Sequence, residues 1–166
     1  MNWEPLGLDL PWKKIEAVLG TSLPEDYKQL AETFGKGEFS DFLRLILVDN
    51  TGQFDLLRIW RSYCEVSPAR ESDPVFSPYH VYRPDLPGLI PWAFGEWRSS
   101  FFWLASARED PNSWPILARS DNYSWHQVNM STSEFTFRLL TDSDFDPFSI
   151  AGVFPEPDFY SFDGVG

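Results

Sequence analysis

Apolar positions near the start of the chain recur at helical spacing. Leu23, Tyr27, Leu30, Ala31 and Phe34 fall on one face of a 3.6-residue repeat, with Glu25, Lys28, Gln29 and Glu32 opposite, so the spacing predicts an amphipathic helix. Its ends are marked. Pro24 suits the first turn, Glu25 and Asp26 place negative charge against the exposed N–H groups, and Ser22 is the expected cap. Gly35 can turn left-handed and close the helix, and Gly37 frees the chain before Phe39. Ahead of it, residues 11–19 read as a shorter helix with Trp12, Ile15, Val18 and Leu19 inward, ended by Gly20.

The pattern then changes. Residues 42–48 are nearly continuous in apolar side chains and predict a first, central strand, followed by a turn at Asp49-Asn50-Thr51-Gly52. Leu56, Ile59, Trp60 and Tyr63 restore helical spacing over residues 54–65. From Val66 to Gly88, five prolines (Pro68, Pro74, Pro78, Pro84 and Pro87) exclude regular structure and suggest a surface insertion that wraps the fold. Four aromatic and aliphatic runs, 89–94, 101–105, 114–119 and 125–128, predict an antiparallel meander. Ser131 and Glu134 form a capping-box pattern opening a helix through Phe135, Leu139 and Leu140. Past Asp142 no period holds, although Phe145, Phe148, Phe154, Phe159, Tyr160 and Phe162 imply that the tail packs back on the body. The expected architecture is one α+β domain, with an N-terminal helix pair and a C-terminal helix against a mainly antiparallel sheet. Residues 1–141 form the domain, with 66–88 as a loop insertion, and 142–166 an acidic aromatic extension.

Charge narrows the choice of partner. The net charge is −12, and half of it falls in residues 142–166, which hold six acids and no base. Phosphate binding needs clustered Lys and Arg, so nucleic acid is disfavoured and a basic partner favoured. No run of apolar residues is long enough to span a bilayer, the N-terminus lacks a signal-peptide pattern, and the single cysteine, Cys64, fits a reducing compartment, so a cytoplasmic protein is expected.

Catalytic chemistry finds little footing. The two histidines, His80 and His126, have no metal-ligand spacing, and no Cys-x-x-Cys exists, so neither a metal nor a cofactor is expected. Gly35-Lys36-Gly37 follows a helix rather than a strand and lacks a phosphate-loop ending. Glu96 beside Trp97 is the best candidate for glycosidase chemistry, but the sequence gives no second carboxylate at a defined separation. Binding is favoured over catalysis.

LG-x-x-LPEDYK-x-L-x-x-x-FG-x-G over residues 19–37, Gly88-Leu89-Ile90-Pro91 followed by an aromatic and a glycine, Phe102-Trp103-Leu104, Trp114-Pro115 and the 131–140 helix occur in a fixed order. In that order the chain resembles the SUKH superfamily, the Smi/Knr-like immunity proteins of bacteria with fungal relatives. The motif residues are Gly20, Leu23, Pro24, Tyr27, Phe34, Gly35 and Gly37, and the likeness runs from Trp12 to Leu140. It implies a single α+β domain that neutralises a cognate polymorphic toxin domain, often a nuclease, by binding it. An acidic surface suits such a target, because nuclease sites are lined with basic residues. Asp142, Asp144, Asp146, Glu156, Asp158 and Glu96 are then the candidate charges, and Trp97, Tyr79 or Tyr82 the candidate anchors. A regulatory protein-binding scaffold, as in the fungal relatives, and a carbohydrate-binding domain remain alternatives.

Overall fold

In the computed structural model the described residues are 4–48, 55–67, 74–120 and 123–162. The expected turn at 49–52, Phe54 and Pro68 lie outside them. The predicted meander is present as β3 (Gly88–Gly95), β4 (Ser100–Ala105), β5 (Ile116–Arg119) and β6 (Trp125–Val128), each antiparallel to the next. With β1 (Gly37–Phe39), β2 (Leu43–Leu45) and β7 (Phe159–Ser161) they make one antiparallel sheet in the order β6-β5-β4-β3-β2-β1-β7.

Three expectations change here. The strand expected first, at 42–48, is second and only three residues long; beyond it Ile46 donates its N–H to the Trp92 carbonyl (2.8 Å), beside the register shift between Pro91 and Ala93. Gly37 does not merely free the chain but begins β1, where an added Cβ would lie 2.2 Å from the Tyr160 carbonyl and 2.4 Å from the Phe159 ring. The tail, expected without regular structure, provides β7 as the edge strand beside β1 and buries Phe145, Phe148 and Ile150.

Helices cover both faces of the sheet. On one, α2 (Glu25–Phe34) and α4 (Thr132–Thr141) pack on the side chains of alternate β4 residues: Tyr27 meets Trp103 with ring centroids 4.8 Å apart, and Phe135 meets Phe101 at 5.4 Å. Ser131 Oγ caps α4 by accepting the Glu134 N–H (3.2 Å), and Asp26 of α2 accepts the Ser133 N–H (2.7 Å), tying the two helices together. On the other face Phe102 packs against Tyr63 of α3 (Leu56–Val66) and Phe76, both at 6.4 Å. Phe76, Val81 and Tyr82 are buried, so the proline-rich segment contributes core and is not just a surface wrap.

The N-terminal pair forms with altered details. Helix α1 (Trp12–Leu19) buries Ile15 and Leu19, while Val18 points outward at 38% exposure. Gly20 (φ +72°, ψ +20°) ends α1 in the left-handed conformation, whereas Gly35 (φ +66°, ψ −147°) ends α2 in an extended positive-φ conformation open to glycine instead of the expected left-handed turn. Ser22 is not the cap. Pro24 holds that position, and nearby N–H groups are satisfied from a distance: Leu23 donates to Glu16 Oε1 and Glu25 to Asn112 Oδ1, each at 2.9 Å. A fully buried Phe34 would cost about 3–5 kcal/mol when cut to Ala. Phe34 is only half-buried, against Phe39 and Phe159. Phe34→Ala is therefore expected to lower stability by about 1–2 kcal/mol in a denaturant titration.

Candidate functional site

The alternation of strand direction decides what meets where. In an antiparallel sheet the β1–β2, β3–β4 and β5–β6 hairpins turn at the same end. β7 runs against β1, so it starts there, and α4, entered from the far end of β6, finishes there. The exposed end of the sheet thus collects three tips, the entry to β7 and the segment after α4.

All three tips carry backbone that side chains resist, the third at Tyr123 (φ +64°). Ser40 and Asp41 have φ of +51° and +50°, and Trp97 and Arg98 have +56° and +59°. Residues other than glycine occupy this region at a cost of about 1–2 kcal/mol each, and such strain clusters at functional sites. The Trp97-Arg98 turn is closed by the Ser99 N–H on the Glu96 carbonyl (3.2 Å), and the Glu96 N–H reaches across to the Phe42 carbonyl (3.0 Å), fastening the second tip to the first. Trp97 is 58% exposed and stands edge-on to Phe42 at 5.2 Å. The two rings, with Ser99, Ser120, Pro147 and Phe148, line a cleft of about 180 Å³, in which tips and tail meet. Arg98→Gly is expected to raise stability by about 1 kcal/mol, since glycine takes this backbone without the steric cost. Thermal unfolding reads that gain directly.

Acids adjoin several residues of this end. Asp158 is joined to the first tip at both its backbone groups: its carbonyl accepts the Ser40 N–H (3.0 Å) and its N–H donates to Ser40 Oγ (3.4 Å). Asp146 directly precedes Pro147, and Asp144, Asp146, Glu156, Asp158 and Glu96 are all exposed. Asp142 is already engaged by Arg138 (Nη2 to Oδ2, 2.9 Å), whose hydrogen bond, followed by that from the Asp144 N–H, holds its carboxyl below the usual range.

The candidate anchors divide. Trp97 belongs to this end of the sheet. Tyr79 is half-buried and packs edge-on against Trp125 (5.2 Å), a ring that itself packs on Phe102 and so lies on the α3 face. Tyr82 has to be withdrawn as a surface anchor: it is fully buried, its hydroxyl donating to the Leu19 carbonyl (3.2 Å) and its carbonyl accepting from Trp60 Nε1 (2.9 Å). The alternation of polar and apolar residues could not reveal this, because a tyrosine among prolines looks the same whether it anchors a loop or presents a ring. Asp41 and Tyr123, both exposed on tips at positive φ, were missed; only the register of the hairpins identifies them.

Groups suited to other chemistry are spent elsewhere. His126 packs edge-on against Phe148 at 5.2 Å. Burial raises the Cys64 thiol above its ordinary value, disfavouring the thiolate that nucleophilic chemistry needs. Burial likewise raises the Tyr27 phenol, whose hydroxyl donates to the Ile46 carbonyl. Among the described residues no group of three or more His, Cys, Asp or Glu could hold a metal ion, and no helix is long and apolar enough to cross a membrane. No family model, curated protein or solved structure matches the chain. Fold and site together define an α+β domain with an acidic, tryptophan-bearing sheet end.

Proposed function

We propose that this protein is a cytoplasmic immunity protein of the SUKH type, which binds a basic toxin domain and occludes its active site. The observation carrying the reading is an exposed Trp97 on strained backbone, with Glu96 beside it in the turn, Asp146 directly before Pro147 of the cleft and Asp158 bonded to the Ser40 tip. A large aromatic anchor inside a charged rim is the composition of a protein-binding surface, the ring supplying buried area and the acids steering a cation. The ordered motifs between Trp12 and Leu140 support the family assignment, and the −12 net charge supports a basic target.

Capture from a lysate of the native organism, with toxin-producing neighbours present, tests the reading when bound polypeptides are identified by mass spectrometry at low and high salt. The expected result is a basic polypeptide carrying a toxin domain, retained better at low salt. Recovery of host enzymes or cell-envelope factors alone would favour a regulatory scaffold and overturn the immunity reading.

A further inference from the structure

Beside the acidic end lies an apolar groove that the sheet tips do not use. Leu30 and Phe34 of α2, Phe39 of β1, Phe137 and Leu140 of α4, and Pro157 ahead of β7 line about 330 Å³ of open space. That volume is at the lower end of the range for ligand sites, about 300–1,000 Å³. Its hydroxyls are engaged locally: Thr136 Oγ1 donates to the Thr132 carbonyl (2.8 Å), Thr141 Oγ1 to the Phe137 carbonyl (2.7 Å), and Ser133 Oγ lies 3.3 Å from Ser131 Oγ. An occupant would meet hydrocarbon. Phe137 stands at the mouth with 66% of its surface exposed, so its ring extends the apolar lining of the groove to the surface.

The surroundings of the groove specify the occupant. Glu156 and Asp158 lie on either side of Pro157 and are exposed; Asp142 and Asp144 follow Thr141. The nearest cation on α4, Arg138, is held by Asp142. An apolar slot between two helices with carboxylates at its rim is complementary to an amphipathic segment whose apolar residues enter the slot and whose Lys or Arg residues meet the rim. We propose that this groove docks a basic amphipathic segment of the partner, a bulky apolar side chain inserting between Phe34 and Phe137 while its cations face Glu156 and Asp158. The inference deepens the reading above and rests on its basic partner.

The test uses the full chain and a fluorescent synthetic peptide carrying Leu and Lys at helical spacing, with the same peptide bearing Glu for Lys as control. The Lys peptide is expected to bind and the Glu peptide not. Phe137→Ser removes an exposed wall, and Thr141→Trp fills the mouth from an exposed position. Each is expected to weaken binding by about tenfold at low and high salt alike, a loss of about 1.4 kcal/mol. Glu156→Gln with Asp158→Asn should weaken it at low salt only. Equal binding of both peptides, or parental affinity in Phe137→Ser and Thr141→Trp, would overturn the proposal. So would a concentration-dependent dimer abolished by Phe137→Ser, which would assign the groove to a second copy. The two readings fail separately: a toxin domain captured equally by Phe137→Ser and parent removes the groove alone, whereas peptide binding without any captured toxin removes the immunity function alone.

Discussion

Trp103→Ala is expected to lower the free energy of unfolding by about 3–5 kcal/mol, the cost of truncating a fully buried tryptophan. Trp103 is 1% exposed, and its ring is shared between α2, β3, Trp114 and the start of α4. It meets Tyr27 of α2 at 4.8 Å, Trp92 of β3 at 6.1 Å and Trp114 at 6.4 Å, while its Nε1–H donates to Thr132 Oγ1 at the start of α4 (3.0 Å). Removal opens a cavity and also leaves a buried hydroxyl without its donor. A domain of this kind has a total stability of about 5–15 kcal/mol, so the variant sits close to the threshold of folding. Chemical denaturation with an unchanged m-value checks the result; a loss below about 1 kcal/mol would mean that α2 and α4 do not share this ring.

The largest functional effect should come from neutralising Asp142, Asp144, Asp146, Glu156 and Asp158 together as amides. This takes the net charge from −12 to −7 and removes most of the charge at the entry to β7 and the end of α4. Steering by a field of this kind raises association rates by about 10–1,000-fold, so the on-rate for a basic partner is expected to fall by at least about tenfold at low salt, with a flatter salt dependence and a little-altered off-rate. Surface-plasmon or stopped-flow kinetics separate these terms. Asp142 contributes least to steering, because Arg138 already occupies it. It contributes instead to the end of α4: with its carboxyl held below the usual range, that contribution is present at neutral pH and is lost as pH falls through the folded value. Unchanged association kinetics in the five-amide variant would remove these acids from the binding surface.

Legibility in the sequence followed element length. The helices and the β3–β6 meander, where periodicity extends over several residues or turn signals bracket each run, were readable, as were the Ser131 cap and the glycine ends of α1 and α2. β1 and β7 are three residues each, too short to express alternation, and they pair Gly37 with Ser161 and Glu38 with Tyr160 across more than a hundred residues. The same limit applies to the site. Glu96, Trp97 and the tail acids stood out by residue type, but the sheet end to which each belongs is a product of strand order. Ser22 was displaced as a cap because Glu16 and Asn112, remote from the expected cap, satisfy N–H groups at the start of α2. Tyr82 was misread for a similar reason, its partners Leu19 and Trp60 lying on two other helices.

Neutralisation by occlusion is read out by titrating the toxic activity of the captured domain with this protein. Activity is expected to be lost completely at one molecule per toxin domain, and the loss to require a higher protein concentration in the five-amide variant. A stable complex in which the toxin remains fully active would contradict it.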